Sequence, residues 1–197
     1  HPVEMAPRLM LAELYETGNE PILAVDILAD VLSRRQDGSP AMRRFVAIKL
    51  AELGDRCAAG ERHEAALHAY RASAREADVI NPEFRRQIEI RTAAVLAAQR
   101  RYAQAAEQLK PLVAESIPDP KALQFYAQCL WEAGRHDEAM VAARKGQGLF
   151  ASDPAALAGF HRVISSFHIR AGRIADGESE LKHALRLQPD DPNTNNE

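Results

Sequence analysis

The chain has 197 residues, 46% of them hydrophobic but only 6% aromatic, so its core must be filled mainly by Ala and Leu, which favours closely packed helices. Its 25 basic and 28 acidic residues leave a formal net charge of −3 with no basic excess, which argues against nucleic acid as a partner. No apolar run approaches the roughly 20 residues that cross a bilayer, so no membrane insertion of this segment is expected, and the N-terminus lacks the basic-then-apolar order of a signal peptide.

Prolines preceded by helix-capping residues punctuate the whole chain: Ser39-Pro40, Asn81-Pro82, Asp119-Pro120, Asp153-Pro154 and Asp191-Pro192. Each pair offers a side-chain acceptor at the N-cap and a proline at the first helical position, where its missing N–H costs nothing. With Pro2 included, the intervals are 38, 42, 38, 34 and 38 residues, the length of a helical hairpin with its turns. Hairpins are therefore expected over about 2–36, 40–79, 82–116, 120–150 and 154–189, with 192–197 beginning another repeat.

Within each interval two small residues stand 12 apart: Ala12 and Ala24, Gly54 and Ala66, Ala93 and Ala105, Ala127 and Ala139, Ser165 and Gly177. Antiparallel helices approach to about 8–10 Å only where facing side chains are small, so these pairs mark an A helix and a B helix in every unit. Leu11, Tyr15 and Leu28, or Tyr126 and Leu130, should fill the seam around them. The turns carry Gly18-Asn19, Gly60, Gly134 and Gly172, residues that tolerate left-handed backbone, and only Arg100 departs from this. Pro111 should kink or stop the third B helix, and Gly146 and Gly148 should weaken the end of the fourth. Cys57 and Cys129 fall in helical patterns and are expected as buried free thiols.

Small residues 12 apart, a turn glycine between them and proline-bounded units near 34 residues resemble the tetratricopeptide repeat, most fully in Leu123 to Ala139 (LQFYAQCLWEAGRHDEA) and Gly172 to Pro189 (GRIADGESELKHALRLQP). The resemblance implies an all-α fold, an α-solenoid of about five antiparallel hairpins wound as a right-handed superhelix, with a concave groove lined mainly by A helices. The small-residue frame repeats at 42, 39, 34 and 38, and whole added turns at the front of the A helices would preserve their buried faces. Both ends fall where an A helix would begin, so the chain is expected to be cut from a longer array, with His1 a remnant of its preparation. The last hairpin, with Leu181, Leu185 and Leu187, should then leave apolar surface uncovered and promote self-association through uncapped ends.

Stepping along each A helix opposite the B seam nominates Leu9, Glu13 and Glu16; Ala51 and Asp55; Ile90 and Ala94; Gln124, Gln128 and Trp131; Arg162, Ser166, Ile169 and Arg170. A peptide could lay its basic end toward Glu13 and Glu16 and its acidic end toward Arg162 and Arg170, with Trp131 as anchor and Gln124 and Gln128 beside it. The alternative is that Trp131 packs into the seam and the arginines are ordinary solvated charges. The family's carboxylate clamp needs a Lys and an Asn one turn apart on the first A helix. Leu9 and Glu13 stand there instead, which argues against chaperone-tail binding of that type.

No catalytic constellation emerges. His161 and His168 are seven residues apart, about 10.5 Å along a helix, too far to share a metal, and Ser165 occupies a packing position rather than the strained turn a nucleophile needs. Ser166 and Asp176 complete no triad, His63 and His68 point to different sides, and no cofactor or phosphate loop is signalled. The expected function is a non-catalytic scaffold that binds a peptide or protein. The alternative is a regulatory or peptide-sensing module controlling an effector domain elsewhere in the protein. The Ala- and Arg-rich composition fits a GC-rich bacterial genome. A cytoplasmic location is the default, and an envelope-associated one is also compatible.

Overall fold

The computed structural model describes residues 5–33, 39–76, 80–116 and 118–188. The readings made at His1, Pro2, Asp191-Pro192 and 192–197 lie outside the described residues. Ten helices and no strands are present among those described: α1 (Met5–Thr17), α2 (Pro21–Ser33), α3 (Pro40–Ala59), α4 (His63–Ala74), α5 (Pro82–Ala98), α6 (Tyr102–Val113), α7 (Pro120–Glu132), α8 (His136–Leu149), α9 (Pro154–Arg170) and α10 (Ile174–Leu187). The chain divides into two compact units, residues 1–99 and 100–197, the division falling at the turn between α5 and α6. In the first unit α1 packs on α2, α3 on α4, and α4 on α5; in the second α6 packs on α7, α7 on α8, and α9 on α10.

The capping signals act as written. Ser39, Asn81, Asp119 and Asp153 each accept from a backbone N–H in the first turn, with N···O distances of 3.2, 2.6, 2.8 and 3.0 Å. Each such cap contributes about 1 kcal/mol. Pro40, Pro82, Pro120 and Pro154 stand 14, 11, 7 and 11 residues before their small A-helix residue, so α3, α5 and α9 exceed α7 at the front by 7, 4 and 4 residues. Those are about two, one and one turns, which leave the buried stripe in phase.

All ten small frame residues are buried. A Cβ on Gly54 would lie 2.5 Å from the Tyr70 ring, so only glycine admits that close approach. In the last hairpin the pair bonds directly, Ser165 Oγ donating to the Gly177 carbonyl at 2.7 Å. Leu28 and Leu130 fill seams as expected, but Leu11 is 41% exposed, with no preceding hairpin among the described residues against its side of α1. Leu181, Leu185 and Leu187 are half-buried rather than open, while Met10, Leu11, Leu14, Ile22 and Leu23 of the first hairpin are exposed.

The left-handed residues follow one rule: Asn19, Glu61, Arg100, Gly134 and Gly172, with φ of 63, 58, 59, 79 and 77°, each lie seven residues after the small A-helix residue. Gly60 is therefore not the left-handed residue of its turn; the frame assigns that place to Glu61, and Gly60 has φ of −88°. The α6 helix stops at Val113, two residues after Pro111. By contrast α8 runs unbroken through Gly146 and Gly148, since Phe160 packs where a Gly146 side chain would stand.

Candidate interaction surfaces

Numbering each A helix from its small residue as zero exposes a stacking register. Position +2 of one A helix meets position +4 of the one before it: Arg56 pairs with Glu16, Val95 and Ala58 line one pocket of 210 Å³, and Phe167 stacks on Trp131. Helix geometry explains this, because residues two to four apart on successive helices are brought to the same height by the constant frame.

In the first unit Leu9, Ala12, Glu13 and Glu16 of α1, Leu28 of α2, and Lys49, Leu53 and Arg56 of α3 enclose a pocket of 240 Å³. Arg56 Nη2 donates to Glu16 Oε2 at 2.9 Å, while Lys49 pairs with Glu52 at 2.7 Å. Glu13 stands exposed at the rim. Beyond the pocket, Asp55 accepts from the Tyr70 hydroxyl at 2.7 Å and pairs with Arg91 at 3.1 Å, and burial together with the Asp55 carboxylate pushes the Tyr70 hydroxyl well above its ordinary range.

In the second unit Trp131 is only 7% exposed. Its ring stacks on Phe167 at 4.4 Å with planes 4° apart, meets His136 at 4.4 Å, and lies under the Arg170 guanidinium at 5.9 Å. Periodicity placed Trp131 in an open groove, but the next A helix closes over it. Arg170 is held by both oxygens of Glu132, whose carboxyl this bond keeps below the usual range. Gln124 donates to the Ala156 carbonyl at 3.3 Å and packs on Gly159, while Gln128 is exposed and Arg162 half-buried. The sequence-derived residues thus separate into Glu13 and Gln128, which face solvent, and Glu16, Gln124, Trp131 and Arg170, which bind hairpins to one another.

A buried polar cluster joins three helices of the same unit. Glu180 of α10 is 9% exposed, with His161 Nδ1 of α9 at 2.6 Å, Arg144 of α8 at 2.9 Å and Gln147 of α8 at 3.4 Å. Burial alone would raise this carboxyl, but the bonds from His161 and Arg144 hold it below the usual range. His168 is nearly buried, its Nδ1 3.9 Å from Asp176. Ser165 Oγ is spent on the Gly177 carbonyl and Ser166 Oγ on that of Val163. Both cysteines are buried thiols, Cys129 pushed up to about 12 by desolvation. Among the described residues no three His, Cys, Asp or Glu side chains are grouped to hold a metal ion.

A family model described as "Virulence factor membrane-bound polymerase, C-terminal" matches residues 42–163, from α3 into α9. The chain belongs to that family. No curated protein matches it. Among solved structures, YrrB, described as a TPR protein with an unusual peptide-binding site, is 20% identical over 93% of this chain and 86% of its own, at a TM-score of 0.58. MamA from Desulfovibrio magneticus RS-1 is 17% identical over 95% and 96% of the two chains at 0.58, and a putative kinesin light chain from Podosopora anserina is 15% identical over 95% and 96% at 0.61. The fold is thus that of tetratricopeptide-type helical hairpins, generally protein-interaction modules.

One feature of this family member escaped the sequence reading. Arg62, Arg101, Arg135 and Arg173 all occupy position +8, the N-cap of their B helices. Arg62 donates to Asn19 in the turn before at 2.8 Å, and Arg135 to Glu107 at 3.2 Å and Glu138 at 2.7 Å. A cation there opposes the helix dipole, and the acids of the first turn, Glu64, Asp137 and Glu138, and Asp176, offset it. Aligning the five turns on the small residues would have revealed the row.

Proposed function

We propose that this chain is a non-catalytic protein-binding region of a membrane-bound polymerase, taking a peptide or protein partner along the exposed edges of its A helices. The α1–α3 pocket carries this reading. Leu9, Leu28 and Leu53 give it an apolar floor, and its rim is charged, with Glu16 and Arg56 neutralising each other and Glu13 left toward solvent. Such a site suits an extended segment presenting one apolar side chain next to a basic residue. Gln128 is the corresponding exposed contact of the second unit.

Selection of binding peptides from a displayed library, followed by fluorescence anisotropy, tests the reading. Enriched sequences should pair an apolar with a basic residue, and Glu13→Lys should weaken them about tenfold, roughly the 1.4 kcal/mol of one well-placed charge contact. Enrichment without that pattern, or binding indifferent to Glu13→Lys in a folded variant, would overturn it.

A second reading rests on the family match. The partner would be the polymerase portion of the same protein, with the repeats regulating it, and membrane attachment would reside outside the described helices, none of which is long and apolar enough to cross a bilayer. Deleting 42–163 from a full-length protein separates the two. Faster polymer formation after deletion indicates restraint, and an unchanged rate rules restraint out.

A further inference from the structure

The row of arginines at position +8 has one exception, and it falls in the first hairpin. Counting from Ala12, that place is Glu20, directly before α2, where the later hairpins carry Arg62, Arg101, Arg135 and Arg173. Two places on, the start of the B helix departs as well. Position +10 is Ile22 in the first hairpin and Glu64, Ala103, Asp137 and Ala175 in the others; position +11 is Leu23 against Ala65, Gln104, Glu138 and Asp176. The helix dipole favours an acid at a helix start, which accounts for Glu20 by itself. It does not account for Ile22 and Leu23, which are 50 and 40% exposed.

The exposure of Ile22 does not come from its hairpin standing first. Glu64, Asp137 and Ala175 lie in hairpins against which the helix before is packed, and all three are exposed, so position +10 faces solvent in each of them. Ile22 and Leu23 border a groove that is walled on both sides by described residues of one unit. Asn19 to Leu23 form one side, Arg62 to Ala65 the other, and the space between them is 510 Å³. Pro21, Ile22, Leu23 and Ala65 give it an apolar lining. Across it stand two carboxylates, Glu20 and Glu64, and one guanidinium, Arg62, whose Nη1 donates to Asn19 Oδ1 at 2.8 Å. Glu20 is exposed and has no ion pair among the described residues. An apolar groove edged by an acid is covered most favourably by a bulky apolar side chain next to Lys or Arg. An anionic lipid surface or a nucleic acid would instead meet Glu20 and Glu64 as like charge.

We propose that the α2–α4 groove docks a basic, apolar segment of a protein partner, with its apolar side chain on Ile22 and Leu23 and its cation at Glu20. The site lies where the B helices begin rather than along the A helices. It is therefore separate from the α1–α3 pocket and does not rest on the peptide-binding reading above.

Fluorescence anisotropy tests this with short labelled peptides in a Gly-Ser background that carry Leu next to Arg, Leu next to Glu, or Ala next to Arg. The titrant is the whole chain bearing Glu13→Lys, in which the α1–α3 pocket has lost its acid, so the two readings fail separately. The Leu–Arg peptide should bind, and the other two should bind about tenfold more weakly or worse. Glu20→Arg and Ile22→Glu put into the first hairpin the residues that the second already carries as Arg62 and Glu64. Both variants should keep their helicity by circular dichroism, and each should weaken the Leu–Arg peptide about tenfold. Absence of binding, equal affinity for the three peptides, or binding indifferent to either folded variant would overturn the proposal. A chain that dimerises in sedimentation velocity and becomes monomeric with Ile22→Glu would do so too, by making the groove a contact between copies.

Discussion

The two units use one frame with different fillings. In the first, successive A helices are joined through charge, Glu16 with Arg56 and Asp55 with Arg91, and the left-handed turn residues are Asn19 and Glu61. In the second, the corresponding contact is the stack of Trp131 on Phe167, with the Arg170–Glu132 pair beside it, and the turns within it carry Gly134 and Gly172. The small residues 12 apart determine where helices meet, whereas the contact residues determine how strongly. Exposed ion pairs contribute little after solvation and are screened by salt, while a buried aromatic pair contributes through area and stacking. The second unit should be the more resistant to salt and local opening.

Trp131→Ala would break that difference most severely. It should destabilise the second unit by about 3–5 kcal/mol, the range for buried Trp and Phe truncation, seen as lost protection in α7 and α9 by hydrogen exchange. The same severity makes Trp131→Ala unsuitable as a probe of a binding surface. Gly54→Ala tests the first unit's closest approach. Its new Cβ would meet the Tyr70 ring, and denaturant unfolding should record a loss of about 1–3 kcal/mol.

Glu180 gives the second unit a pH dependence through its buried, hydrogen-bonded carboxylate. Its folded-state pKa lies below the ordinary 4.5, so its stabilisation is complete above that value and disappears as pH falls through the folded value. Glu180→Gln should therefore unfold more easily at neutral pH, with the gap to wild type closing on acidification. A gap independent of pH would assign the effect to packing.

Turn substitutions sharpen the contrast at smaller scale. Glu61→Gly should stabilise by about 1 kcal/mol by relieving left-handed backbone, and Gly172→Ala should destabilise by a similar amount. Smallest of all, Arg56→Ala should change stability by at most about 1 kcal/mol, and the effect should fade with added salt.

Much of this was legible in the sequence because it depends on spacing. Proline-bounded helix starts, small pairs and whole-turn extensions all follow from counting residues, and within the described residues each appears at its expected place. What counting could not supply was depth. Periodicity gives the direction in which Trp131 leaves α7 but not that Phe167 of the next hairpin covers it, since that depends on a residue 36 positions later. Leu11 erred the other way: its direction is that of a seam residue, yet it is 41% exposed among the described helices. The Arg62, Arg101, Arg135 and Arg173 row was present in the sequence but visible only after alignment of the turns.

The unequal fronts of the A helices have a geometric corollary. Each extra turn carries a helix start about 5.4 Å further along its axis, so the capped end of α9 stands about 6 Å beyond that of α7 relative to their common frame. The proline edge of the second unit is therefore a staircase rather than a level rim. A ligand laid across it would have to match step heights, and one turn inserted into or removed from a single A helix would change its fit while leaving every core contact in register.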